Sequence, residues 1–280
     1  MMNKGNKPKK SLGQHFLTSE GAVKRILEAA DLKEGETVLE IGPGRGVLTK
    51  ALLGAGARVL AVEKDEALAE QLKETFSEEV ERGSLVIVVD DIQNANLGDT
   101  ECGILNTGYS LVANIPYYIT GAIIRQFLSA EHQPKKMVLL VQKEVAERIV
   151  TKGKGGGEGR HGKESLLSLS VKAYGDPKMA GTVKAGSFNP PPKVDSAILA
   201  VENISRDFFK NVREEYFFEL LHRGFRQKRK QLAGNLKDRF SAETVENALS
   251  HCSINKQARA EELSLDEWKC LAIRLGQVSS

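Results

Sequence analysis

The stretch LVANIPYYIT, residues 111–120, sets an amide, a proline and two tyrosines directly after an apolar run. A plain buried strand has no use for that ending, but a reactive corner does. Asn114 supplies a hydrogen-bond acceptor, Pro116 stiffens the turn by fixing its own φ, and Tyr117 offers a flat ring. A second cluster, EIGPGRGVLT (40–49), carries Gly42, Gly44 and Gly46 as G-x-G-x-G. Glycine at such a place lets a bound molecule press against backbone that a Cβ would hold away. Glu63 follows Gly42 by 21 residues, the separation at which an acid ending the next strand accepts hydrogen bonds from ribose hydroxyls. Asp90 and Asp91 close a further apolar run in the same way. Each signal is weak alone. Glycines and two acids, each ending its own strand, point together to a cofactor containing adenosine. Pro43 inside the glycine pattern, and the lack of the third-glycine spacing that brings a helix N-terminus to a pyrophosphate, favour S-adenosylmethionine over a nicotinamide dinucleotide.

These residues need a scaffold, and the hydrophobic pattern describes one. TVLEIG, RVLAVEKD, SLVIVVDD, YSLVANIP and KKMVLLVQ read as strands. SEGAVKRILEAADL (capped by Ser19), VLTKALLGAG, EALAEQLKETF, ITGAIIRQFLSA and a segment from about 143 to 150 read as helices. Alternating strands and helices, with strands that are continuous apolar runs, predict a mostly parallel α/β sheet covered by helices. VDSAILAVEN (194–203) is a later strand, and beyond it only helical signals continue. The expected organisation is a Rossmann-like methyltransferase domain over 1–203, with a basic N-terminal segment, and a small all-helical domain over 204–280.

Composition bounds the class. With 41% hydrophobic and 28% charged residues, the chain has the make-up of a soluble globular protein. No apolar run approaches a membrane span, and the basic start MMNKGNKPKK is not followed by a secretory core. Cys102, Cys252 and Cys270, widely spaced and odd in number, argue against both a disulfide framework and a zinc site. The protein is read as cytoplasmic, monomeric and free of metal. Its net charge of +3 is unevenly spread: residues 1–17 hold four lysines and no acid, and 222–239 hold seven Lys/Arg against one Asp, leaving the rest acidic. That is the footprint of a polyanion-binding face, or else a basic tail and a solvated helix face. GEGRHGKE (157–164) nearly spells a phosphate-binding loop. Glu164 stands where a hydroxyl is required and no strand leads into the glycines, so the glycine-rich 153–162 segment is read as a basic surface loop.

Asn114-Ile115-Pro116-Tyr117 resembles the N-x-P-Y motif of adenine amino-methyltransferases, and the physics suits them. Adenine's exocyclic nitrogen is a poor nucleophile because its lone pair is delocalised into the ring. An acceptor such as Asn114 Oδ1, helped by a backbone carbonyl near Ile115, favours a pyramidal, reactive nitrogen. Stacking on Tyr117 would contribute about 1–3 kcal/mol towards unstacking the base from its strand. Tyr118 is read as core. Phe188, in GSFNPPPKVDSAIL (186–199), either closes the other side of an adenine sandwich from an exposed turn or plugs the core under a proline loop.

Taken together, KKSLGQHFL (9–17), LEIGPGRGVLT, VEKD, LVANIPYYIT, VQKEVAERI and FNPPPKVDSAI resemble, in order and spacing, the ribosomal RNA adenine dimethyltransferases. Within that family the likeness is to the bacterial small-subunit enzymes, over roughly residues 7–275. The resemblance implies dimethylation of N6 on two adjacent adenosines near the 3′ end of 16S rRNA, during small-subunit maturation. It implies cofactor contacts from His15, Leu17, Gly42, Glu63, Asp91 and Asn114, with Gly44 inside the same turn. At His15 many relatives carry asparagine, which leaves side-chain and backbone contact both open. Tyr117 and Phe188 take the stacking roles. The tail around FRQKRKQL resembles the family's RNA-binding domain, with Arg223, Arg226, Lys228, Arg229 and Lys230 on phosphates, where they add affinity but no sequence choice. Three rivals stay open: a 23S rRNA adenine methyltransferase of the antibiotic-resistance type, a DNA adenine methyltransferase and a non-catalytic ribosome-assembly factor.

Overall fold

A computed structural model describes residues 14–95, 108–151 and 162–276. The basic N-terminal residues up to 13, Cys102 and nearly all of the glycine-rich segment lie outside the described residues. The chain forms two compact units: residues 1–146 with 176–204, and residues 147–175 with 205–280. The chain thus passes between the units three times, and the predicted domain change at 203/204 lies one residue from the last crossing. The segment 147–175 contacts the helical unit, which a reading by strand and helix order along the chain does not reveal.

The first unit runs β1 (Phe16–Leu17), α1 (Glu20–Ala30), β2 (Thr37–Ile41), α2 (Val47–Gly54), β3 (Arg58–Glu63), α3 (Glu66–Thr75), α4 (Ser77–Glu81), β4 (Leu85–Val89), β5 (Ser110–Asn114), α5 (Thr120–Leu128) and β6 (Lys136–Gln142). The helix α6 (Lys143–Val150) carries the chain into the second unit and α7 (Leu166–Lys172) follows; β7 (Asp176–Val183), β8 (Phe188–Asn189) and β9 (Ser196–Glu202) return to the first. Ser19 caps α1 by accepting from the Ala22 N–H, and Asp65 caps α3 by accepting from that of Ala67, each satisfying a donor that the helix itself cannot.

Seven strands lie in the order β4-β3-β2-β5-β6-β9-β7. The five from β4 to β6 are parallel, and β9 joins antiparallel to β6 and β7. The core strands are buried almost end to end: β2 has no exposed residue and Val38, Leu39, Leu60, Leu111 and Val112 are at most 1% exposed. Strand order reverses between β2 and β5, whose register sets Ile41 beside Ala113. In an open parallel sheet that reversal leaves a crevice beyond the carboxyl ends of the two strands. Gly42 and Asn114 are the residues that reach it. A separate two-stranded ribbon pairs Phe16 with Asn189 and Leu17 with Phe188.

In the second unit, α8 (Glu214–Gly224), α9 (Leu232–Leu236), α10 (Ala242–His251) and α11 (Leu265–Gly276) close over Phe217, Leu221, Leu232 and Trp268, all fully buried, together with Leu169 of α7. Cys252, just after α10, is disulfide-bonded to Cys270 of α11, with Cα atoms 5.9 Å apart. This corrects the expectation that the cysteines form no disulfide. Eighteen residues of sequence separation say nothing of distance once a turn folds α11 back on α10. Glu164, the residue that spoiled the phosphate-loop motif, is a buried carboxylate accepting from Ser168 Oγ at 2.6 Å and Lys172 Nζ at 2.6 Å; Lys172 also donates to the Thr151 carbonyl.

Candidate active site

The crevice beyond β2 and β5 is lined by residues 14–17, Glu40–Arg45, Val62–Lys64, Asp90–Gln93 and Asn114–Ile119. Its floor is the glycine turn. Gly42 has φ +65° and open space within 4 Å of where its Cβ would stand. A side chain would fill the cleft there. Gly46 is glycine for a different reason: at φ +76° it caps α2, and a Cβ would stand 2.6 Å from the ring of Phe76. Gly44 faces the Phe16 ring in the same turn.

Glu63 ends β3 almost completely buried. Its Oε2 accepts from the Gly44 N–H at 3.0 Å and its Oε1 from the Asp65 N–H at 2.9 Å. Burial raises its pKa; these backbone donors oppose the rise. One carboxylate thus ties the glycine turn to the adjacent strand end, and each oxygen keeps a lone pair for hydroxyls in the cleft. Asp91, past β4, is held by Lys64 Nζ at 2.8 Å on Oδ2 and by the Gln93 N–H at 3.1 Å on Oδ1. The Lys64 hydrogen bond, then that of Gln93, lowers its pKa.

Glu40, two residues before Gly42, is 1% exposed and lines the same cleft. Burial, with the neighbouring charge of Glu63, pushes its carboxyl up to about 8. The Thr49 hydroxyl lies near enough to oppose this, but not in hydrogen-bonding geometry: Glu40 Oε2 and Thr49 Oγ1 both lack a partner. The sequence reading passed over Glu40, although an acid inside the otherwise apolar run TVLEI was a visible signal.

At the turn after β5, Asn114 Nδ2 donates to the His15 carbonyl at 3.0 Å. A carbonyl only accepts, so the amide nitrogen must face it and Oδ1 is left for another donor. Tyr117 is fixed at both ends: its hydroxyl shares a 2.6 Å hydrogen bond with Ser196 Oγ, and its ring stacks on the His15 imidazole with centroids 5.9 Å apart. Burial raises the phenol's pKa, against the Ser196 hydrogen bond. Ser196 went unnoticed in the sequence, because only the fold brings β9 to this turn.

One expectation is corrected, and of two open alternatives one fits the burial. Tyr118, read as core, is 66% exposed at the cleft, on a short 3-10 turn. Phe188, considered for an exposed stacking position, is 3% exposed inside the first unit's core cluster, opposite Leu17. The ribbon with β1 turns it inwards, as the plug under the proline loop. His15, Leu17, Gly42, Gly44, Glu63, Asp91, Asn114 and Tyr117 all line the cleft; Leu17 does so while 5% exposed.

The five basic residues of the second unit separate into two kinds. Arg223 is engaged by Glu219 at 3.0 Å and Arg226 by Asp238 at 2.7 Å. Lys228, Arg229 and Lys230 are exposed on the turn between α8 and α9. No group of three or more His, Cys, Asp or Glu that could hold a metal ion occurs among the described residues.

Residues 5–277 match the family model of ribosomal RNA adenine dimethylases. The chain is 42% identical over 275 residues to ribosomal RNA small subunit methyltransferase A of Dehalococcoides mccartyi, covering 95% of this chain and 88% of that protein. It is 37% identical to the protein of that name from Lactobacillus johnsonii, over 94% and 89% of the two chains. Among solved structures it is similar to a dimethyladenosine transferase from Plasmodium falciparum, with TM-score 0.76 at 25% identity over 95% and 98% of the chains. It is also similar to the 23S rRNA methyltransferase ErmE, with TM-score 0.72 at 27% identity over 94% and 100%. The fold is that of a Rossmann-like methyltransferase.

Proposed function

The chain belongs to the ribosomal RNA adenine dimethylase family, and from that premise we propose that it dimethylates adenine N6 in the 16S RNA of the small ribosomal subunit, in the cytoplasm, with S-adenosylmethionine as donor. One observation carries the chemistry: Asn114 ends β5 beside the open glycine turn of β2, with its Nδ2 engaged and its Oδ1 free to accept. The residues fit the cofactor. Gly42 leaves the floor bare, Gly44 lets the turn pass close under the Phe16 ring, Glu63 keeps lone pairs for ribose hydroxyls, Asp91 stands at the next strand end, and residues 15–17 wall the side.

When bound, S-adenosylmethionine supplies an electrophilic methyl group on a sulfonium. The chain's own work is to hold and orient. Asn114 Oδ1 accepts an N–H of the target amine and so localises its lone pair for attack. Tyr117, braced by Ser196, presents a ring for the flipped base. A positively charged donor needs no dedicated base, so most of the acceleration comes from alignment. Lys228, Arg229 and Lys230 take RNA phosphates.

The small-subunit target is favoured over 23S rRNA by the names and coverage of the relatives at 37–42% identity. The test is mass spectrometry of rRNA after incubating undermethylated 30S subunits, and 23S rRNA in parallel, with labelled cofactor. Two methyl groups on N6 of each of two adjacent adenines, in 16S rRNA alone, is the expected result. Methylation of 23S rRNA instead, or of neither, refutes the reading.

A further inference from the structure

Three features of the catalytic turn meet at one residue. The Nδ1 of His15 lies 2.8 Å from the Pro190 carbonyl, its ring stacks on Tyr117, and its own carbonyl receives Asn114 Nδ2. We propose that His15 is a positioning residue for methyl transfer: its imidazole clamps the proline turn to the catalytic turn, and its backbone carbonyl rotates the Asn114 amide so that Oδ1 faces the target amine. The inference rests on the reading above, in which Asn114 Oδ1 receives that amine.

The geometry follows from the ribbon. The Thr18 N–H donates to the Ser187 carbonyl at 2.8 Å, so the hydrogen-bonded positions of the β1–β8 pair are 18 and, two residues back, 16, opposite Asn189. Residue 15 falls on the alternate position, and its carbonyl points to the ribbon's outer edge, where Asn114 meets it. Opposite His15 in the continued register stands Pro190, at a position where the ladder forms no backbone hydrogen bond across the pair. The imidazole reaches the Pro190 carbonyl and links the two segments there.

Chemistry then fixes the ring. A carbonyl accepts only, so Nδ1 carries the proton in both the neutral and the charged imidazole. The ring is thereby held with one face against Tyr117, whose hydroxyl is held by Ser196. The amide of Asn114 stands 99 residues and the proline turn 175 residues from His15 in sequence, and His15 joins both, with the Tyr117 ring three residues past the amide. The resemblance noted in the sequence suggests another role, a direct cofactor contact. The two make different demands. A cofactor ligand contributes to binding, whereas a positioning residue contributes to the rate once both partners are bound.

The experiment uses His15→Ala and His15→Asn in the full chain. Asparagine keeps a side-chain N–H that can reach the Pro190 carbonyl; alanine does not. Two quantities are read: the dissociation constant for S-adenosylhomocysteine by titration calorimetry, and the single-turnover rate of methyl transfer at saturating cofactor and undermethylated 30S subunits. The expected result is a rate loss of about tenfold or more in His15→Ala, the size of one to two lost hydrogen bonds to an oriented group. The dissociation constant should stay within about threefold, and His15→Asn should recover most of the rate. Retained cofactor affinity also shows that the alanine variant folds. Weakened affinity with an unchanged saturated rate overturns the proposal, as does an alanine variant that keeps both, or an asparagine variant as slow as alanine. If wild type itself methylates no adenine in the particle, it is the functional reading that has failed.

Discussion

Glu40 gives the first unit a stability that depends on pH in an unusual direction. Its carboxyl is almost completely enclosed, has one oxygen without a partner, and is pushed up to about 8 by burial. In the unfolded chain the same group ionises near its ordinary value of about 4.3. Between those two values the unfolded state has released a proton that the native state still holds. Stability must therefore fall as pH rises through that window, by about 1.4 kcal/mol per pH unit, and level off above about 8. The full span amounts to roughly 4–5 kcal/mol, a large share of the 5–15 kcal/mol by which a domain is commonly stable. Most carboxylates act in the opposite sense, gaining stability as pH rises because the native state favours their charge.

Glu40→Gln isolates the effect, since the amide has nearly the same shape and does not titrate. Urea unfolding followed by far-UV circular dichroism at pH 5.5, 6.5, 7.5 and 8.5 compares the two chains. Fluorescence of the single tryptophan, Trp268, reports the helical unit as an internal control. The variant's stability relative to wild type should grow by about 3 kcal/mol between pH 5.5 and 7.5, whatever constant offset the new amide introduces. Glu63 is also raised by burial and acts in the same direction, but it is present in both chains and cancels in the difference. Parallel curves for wild type and variant would show that Glu40 is ionised in the native state, and the account of its burial would be wrong.

Other outcomes follow from the same geometry. Asn114→Ala should abolish methyl transfer while RNA binding, measured by filter retention, stays near wild type; a variant that methylates at near normal rate refutes the role of that side chain. Gly46→Ala should lower the stability of the first unit by roughly 2–5 kcal/mol, combining about 1–2 for a left-handed alanine with about 1–3 for overpacking against Phe76 and Leu72, read by urea unfolding. Replacing Lys228, Arg229 and Lys230 together by glutamine should weaken RNA binding and flatten its salt dependence by up to about 0.7–0.9 in log–log slope per lost phosphate contact. Arg223→Gln should flatten it less, because Glu219 already holds that guanidinium.

The sequence disclosed the parts of the fold whose physics is local. Continuous apolar runs gave β2 to β6 and β9, and amphipathic spacing with Ser19 as cap gave α1, because strands buried on both faces cannot be anything but apolar. β7 was missed for the converse reason. DPKMAGTV contains a proline and a glycine, pairs only with β9 at the sheet edge, and shifts register between Met179 and Thr182; an edge strand that is half exposed carries no apolar signature. The glycine turn, Glu63 and Asp91 were legible because cofactor clefts of this sheet recur at the same strand ends. The second unit was only half legible, since residues 147–175 join it by contact and not by position along the chain.

The turn at Asn114–Tyr117 shows where such reading must stop. A motif states which side chains are available; it does not state which atom of each is free. Asn114 can present either oxygen or nitrogen to a substrate, with opposite consequences for the lone pair it is meant to expose, and the choice is made by the carbonyl of a residue 99 positions away. That carbonyl is aimed by a ribbon of two residue pairs, too short to leave any periodicity in the sequence. Tyr117 and Phe188 make the same point from the other side. Both are aromatics beside prolines, but a hydroxyl from β9 holds one at the cleft while the ribbon turns the other into the core. On the proposed reading, specificity for the amine depends on contacts between distant segments, and a substitution on the β8 side of the ribbon, away from the cofactor wall, should damage catalysis before it damages cofactor binding.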